Sequence, residues 1–208
     1  MGNNESTSKR VMDLVIDGDV INAMCSNNPD VKCILIKPRD VTEIHIKTTV
    51  KGDDLSNVCK IIRTTGNLQK LIMPKILQID RLLNNVLDAI LERPESPICY
   101  IDLSGSTDID AGAAQKLRRI LKNPGVKHLD LKDCNMDAEV LSELFEGYRE
   151  GGIGRELDVK GSKISEKMVL YNQDVLFCEN VKWTRWMGKG TASSDMMQLN
   201  NVPPAYEN

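Results

Sequence analysis

Two histidines, six cysteines and 30 acidic side chains are the groups in this 208-residue chain that could do chemistry, and their spacing decides what kind. His45 and His128 stand far apart with no third ligand at metal-binding spacing. Cys25, Cys33, Cys59, Cys99, Cys134 and Cys178 are scattered, with no CxxC pair. Several fall among aliphatic residues, where a reduced thiol acts as a small hydrophobe. Walker, GxGxxG, HExxH and GxSxG patterns are all missing. The expectation is a protein that is not an enzyme and takes no cofactor and no metal.

Two short motifs carry other chemistry. Met1-Gly2-Asn3-Asn4-Glu5-Ser6 fits MGxxx[ST], in which Gly2 accepts myristate once Met1 is removed. One acyl chain holds a membrane only marginally, so attachment through Gly2 would be reversible. Near the other end, Pro203-Pro204-Ala205-Tyr206 looks like the PPxY motif read by WW domains. Tandem prolines favour polyproline II, the conformer that a WW groove takes with little ordering cost.

The elements that would position such groups come from repetition. Starting at Val126, VKHLDLKDCNM has apolar residues at its first, fourth, sixth and eleventh positions and Cys134 at the ninth. GRELDVKGSKI from Gly154 and ICYIDLSGST from Ile98 follow the same register, and LQKLIM from Leu68 and VTEIHI from Val41 are weaker copies. The starts 41, 68, 98, 126 and 154 are separated by 27, 30, 28 and 28 residues. Between them, helical stripes recur. They are Leu55, Val58, Cys59 and Ile62; Ile79 through Leu91, stopped at Pro94; Ala113, Leu117, Ile120 and Leu121; and Leu141, Leu144, Phe145 and Tyr148 after a capping Asp137.

This pattern, LxxLxLxx(N/C)xL, resembles that of leucine-rich repeats, and its length is similar to the ribonuclease-inhibitor-like class. The resemblance implies an α/β solenoid of about five repeats, with a curved parallel sheet, helices on the convex side and terminal caps. The domain would span 11–186, with caps at about 11–40 and 165–186, a flexible leader at 1–10 and a disordered tail at 187–208. Phe177, Trp183 and Trp186 would cover the far end.

In such strands the fourth and sixth positions point into the core, and the third, fifth and seventh point out along the concave face. The fifth gives His45, Ile72, Asp102, Asp130 and Asp158; the third gives Glu43, Lys70, Tyr100, His128 and Glu156; the seventh gives Lys47, Pro74, Ser104, Lys132 and Lys160. Tyr100, Asp102, His128, Asp130, Lys132, Asp158 and Lys160 are therefore the candidate protein-binding residues. Three stacked aspartates are either a site for a basic partner or a solvated charged face, since like charges side by side repel.

The composition limits the partners. A formal charge of −3, from 27 basic and 30 acidic residues, gives no drive towards nucleic acid, and no basic run is interleaved with aromatics. MGNNESTSKR lacks the apolar core of a secretory signal, and no apolar stretch approaches membrane-spanning length. The expected place is the cytoplasm, or the cytoplasmic face of a membrane through Gly2. The expected role is a scaffold or adaptor that recruits WW-domain proteins. Two rivals remain. YIDLSGSTDIDAGAAQKLRRIL also resembles a STAS domain, which would make Ser104 or Ser106 a regulated phosphosite. An acylation signal combined with PPxY fits a membrane-associated, matrix-like structural protein.

Overall fold

Ile44, Leu71, Ile101, Leu129 and Leu157, the fourth residues of the five copies, stand opposite one another on neighbouring parallel strands. Each is fully buried. The computed structural model describes residues 12–16, 41–46, 52–75, 82–93, 97–106, 109–152 and 154–184. These form seven strands, β1 Met12–Ile16, β2 Val41–Ile46, β3 Lys70–Ile72, β4 Tyr100–Asp102, β5 His128–Asp130, β6 Glu156–Asp158 and β7 Val181–Lys182. Helices lie between them: α1 Gly52–Thr64, α2 Leu82–Leu91, α3 Ala111–Lys122, α4 Ala138–Gly151, α5 Glu166–Tyr171 and α6 Gln173–Leu176. The strands form one sheet in the order β1 to β7, every pairing parallel. Sequential order in a parallel sheet requires each connection to advance by one strand, as strand–helix stacking does.

The runs expected to cap the domain supply the outermost strands. Leu14 of β1 pairs with Ile44, and Val181 of β7 pairs with Leu157. Residues 17–40, Trp186 and the whole tail lie outside the described residues. Trp183 is partly buried against the core and donates from Nε1 to the carbonyl of Leu176 at 2.7 Å. It meets Phe177 edge-on, with ring centroids 6.1 Å apart.

The core is one continuous cluster in which the helical stripes meet the fourth and sixth strand positions. Local chemistry starts the helices as expected at Asp137, whose carboxylate accepts from the backbone N–H of Val140 at 2.9 Å. Asp110 does the same for α3, accepting from Ala113 at 2.7 Å.

Strand ends repeat as faithfully as strand centres. The N–H groups of Met73, Leu103, Leu131 and Val159 donate to the carbonyls of Asp102, Asp130, Asp158 and Lys182. Two residues later, Lys75, Gly105, Asp133 and Gly161 all adopt positive φ, between 57° and 82°. Lys75, Gly105 and Asp133 then donate to the carbonyls of Ser104, Lys132 and Lys160 at 2.7–2.9 Å. At Gly161 a Cβ would stand 2.5 Å from the Asp133 carboxylate and 3.0 Å from its Cα, so the close approach favours glycine at a left-handed position that Lys75 and Asp133 fill in other turns.

Candidate functional site

The outward positions of β2 to β6 form one face of charged and aromatic side chains. In the third-position row, Lys70 Nζ lies 2.5 Å from Glu43 Oε1, and His45 Nε2 lies 3.3 Å from Glu43 Oε2. The bonded Lys70 ammonium, with His45 behind it, holds the Glu43 carboxyl below its ordinary range. Next along the row, Tyr100 stacks on His128 with centroids 4.2 Å apart and planes 10° from parallel. His128 Nδ1 meets Glu156 Oε2 at 2.8 Å, and Lys182 Nζ approaches the same oxygen at 3.6 Å. His128 first, then Lys182, lowers the Glu156 carboxyl. Burial, and then Asp102 and Asp130, raise the Tyr100 phenol.

The aspartates do stack. Asp102 pairs with Asp130, and Asp130 with Asp158, as strand partners. Each also has a local role. Oδ1 of Asp102, Asp130 and Asp158 accepts from the backbone N–H two residues on, at Ser104, Lys132 and Lys160, over 2.8–3.0 Å. That bond closes the turn leading to the left-handed residue, which explains aspartate at this position without any partner. Asp130, in the middle, has its carboxyl raised by burial first, against the pull of the Lys132 N–H, and further by Asp102 and Asp158.

At the seventh position Pro74 and Lys132 are exposed, and Ser104 and Lys160 are half-buried. The ninth position is internal. Ser106 and Cys134 are buried, with Ser106 Oγ donating to the Leu103 carbonyl at 2.5 Å and Cys134 Sγ to the same carbonyl at 3.3 Å. Ser162 Oγ reaches the Cys134 carbonyl at 3.4 Å. Burial pushes the Cys134 thiol up to about 12, so it stays protonated. Ser106 thus bonds within its own turn, with its hydroxyl turned away from solvent, while Cys134 and Ser162 link neighbouring turns; β4 lies between β3 and β5.

The nearest approach to a catalytic arrangement is the His128–Glu156 pair, which has two members of a triad. Its other ring nitrogen, Nε2, is buried without a hydrogen-bond partner among the described residues. Among those residues no group of three or more His, Cys, Asp and Glu could hold a metal ion. Cys59, Cys99, Cys134 and Cys178 are free thiols. No described helix is long and apolar enough to cross a membrane.

The structure therefore brings Tyr100, Asp102, His128, Asp130 and Asp158 onto adjacent strands, as the repeat register requires, with Lys132 and Lys160 in the turns that follow β5 and β6. Gly2, Lys47, Pro203, Pro204 and Tyr206 lie outside the described residues. The register missed Lys182, which extends the fifth-position row to β7. It was hidden because CENVKW lies only 24 residues beyond the copy at Gly154 and carries tryptophan at its sixth position. No protein-family model matches the chain, and no curated protein matches it.

Proposed function

We propose that the chain is a non-enzymatic scaffold or adaptor of the leucine-rich-repeat kind, ribonuclease-inhibitor-like in its long repeat. The solenoid holds a protein partner on the concave sheet face. Pro203, Pro204 and Tyr206 recruit a WW-domain protein, and an acyl chain on Gly2 attaches the assembly reversibly to the cytoplasmic face of a membrane. The observation that carries the reading is the Tyr100–His128 stack, which stands on adjacent ordered strands, with exposed Lys132 four residues along the chain from His128. Stacked, pre-paired aromatics lose little rotamer freedom on binding, so they suit the centre of an interface. One oxygen of each aspartate in the column is committed to its own turn, which leaves the second oxygen as the acceptor a basic partner would use.

Titrating the full chain with a purified WW domain of the PPxY-reading class tests the tail. Binding should be weak, in the micromolar range or above as short motifs usually give, and lost in Tyr206→Ala. Equal affinity of wild type and Tyr206→Ala would remove the tail from the reading while leaving the sheet face.

A further inference from the structure

Strands in this sheet all run one way and helices return the other way, so strand starts and helix ends share one rim. On that rim α2 and α3 end beside the starts of β4 and β5, around a cavity of about 380 Å³ lined by Leu91, Arg93, Ile98, Arg119, Lys122 and Val126 among others. Its apolar floor is ringed by cations. Arg93 donates to the carbonyls of Ile62 and Gly66 rather than to a carboxylate. Arg119 and Lys127 are exposed and make no ion pair among the described residues. Lys122 lies 3.1 Å from Glu150, and of the acids that share a pocket with Arg119, Glu92 is taken by Arg63 and Asp88 by Lys116. On the opposite rim, where the helices begin, Lys163 and Lys167 stand among Asp110, Asp137, Glu139 and Glu166.

We propose that the Arg93–Arg119–Lys122–Lys127 rim is a docking surface for an anionic lipid bilayer. It rests on the membrane part of the reading above and adds to it a face and an orientation. Charge complementarity is the first argument, since cations spread along one edge fit a plane of headgroups. Chain topology is the second. β1 enters the sheet at Met12, and because β1 is parallel to its neighbours, that entry is on the same rim. An acyl chain on Gly2 would therefore be tethered ten residues from this rim, at β1, three strands from β4, with Lys9 and Arg10 in the tether. A single acyl chain needs a second signal for stable attachment, and basic residues at an anionic surface supply one.

Sedimentation with vesicles tests it, using the full chain in two forms. The Gly2→Ala form on pure phosphatidylserine vesicles at low salt reads the rim alone. Each basic residue near such a surface is worth about fivefold in binding. Arg119→Glu/Lys127→Glu should lose roughly twenty-five-fold or more, while Lys163→Glu/Lys167→Glu on the opposite rim should bind like its parent. The acylated form, made with an N-myristoyltransferase and verified by intact mass, should bind phosphatidylserine-containing vesicles well above pure phosphatidylcholine. Absence of the mass increment would remove the acyl anchor and leave the rim test standing. Equal loss at both rims, no loss at either, or no binding of the parent to phosphatidylserine overturns the rim. Binding to an acidic polypeptide but not to the vesicles would reassign it as a protein-binding edge.

Discussion

Asp130 holds two opposed roles in one side chain. Its Oδ1 closes the turn at Lys132, and its charge sits half-buried between two more aspartates. A carboxyl raised in the folded state makes the ionised form a liability above that raised value, and the liability disappears as pH falls below the unfolded value near 3.8. Asp130→Asn keeps an oxygen for the Lys132 N–H and removes the charge, so at neutral pH it should raise the thermal midpoint by a few degrees. Asp130→Ala removes both and leaves a strand-end donor without its acceptor, a loss of about 1 kcal/mol. Thermal melts of the two variants should shift in opposite directions; a shared direction would mean that the turn bond and the charge are not separable. Sequence register placed Asp102, Asp130 and Asp158 in one column correctly. It did not show what they bond, because an aspartate turn depends on the backbone angle two residues later, which the letters Ser104, Lys132 and Lys160 do not announce.

At the scale of elements, α3 and α4 pack more closely than their apolar stripes require. A Cβ on Gly147 would stand 2.8 Å from Arg118 Cα and 3.0 Å from its carbonyl oxygen, and one on Gly151 would overlap the Leu121 carbonyl oxygen. The two glycines form the contact that lets the helix backbones touch. Around it Arg118 bridges to Glu143 at 3.0 Å and to Glu150 at 2.6 Å. Gly147→Ala sets two effects against each other, a gain of about 1 kcal/mol in helix propensity and a cost of about 1–3 kcal/mol for overpacking against backbone. Because Arg118 Cα cannot rotate away as a side chain would, the cost wins. Denaturant unfolding should show a net loss of about 1 kcal/mol, and unchanged or increased stability would mean that α4 can shift freely. Helical periodicity revealed Leu141, Leu144, Phe145 and Tyr148, all buried, but not Gly147, since a glycine inside a helix reads only as weak propensity.

For the whole molecule, paired carboxylates dominate the response to acid. Glu43, Glu92, Asp110, Glu150, Glu156 and Asp174 are held below their ordinary values by bonded partners, Glu150 down to about 2 by Arg118 and Lys122, whereas Asp130 is raised. Lowered carboxyls contribute stability that is complete above the unfolded values of 3.8 to 4.5 and lost as pH falls through the folded ones. Among the described residues, six against one makes the net sign destabilising towards acid. The thermal midpoint should hold above about pH 5 and fall between about pH 4.5 and 2, less steeply in high salt because these groups are exposed. A midpoint flat down to pH 3 would show that the pairs contribute nothing.

At this scale the architecture was the most legible part. Leu71, Ile101, Leu129 and Leu157 sit at shared repeat positions, and position sharing is what a stacked sheet demands. The basic rim was not legible, because Arg93, the Arg119–Lys122 pair and Lys127 belong to three successive turns and meet only when the turns stack. The left-handed eighth position escaped for a related reason: Lys75 and Asp133 adopt it without being glycine.

If the chain is an adaptor, its sheet face and its tail must bind different partners independently. Quantitative affinity capture from the source cell, with wild type, Tyr100→Ala/Lys132→Glu and Tyr206→Ala compared after each is shown to be folded, tests this most directly. Tyr100→Ala/Lys132→Glu should lose one set of partners and keep the WW-domain protein, and Tyr206→Ala should do the reverse. Identical capture by all three, or loss of the same partners from both variants, would contradict it.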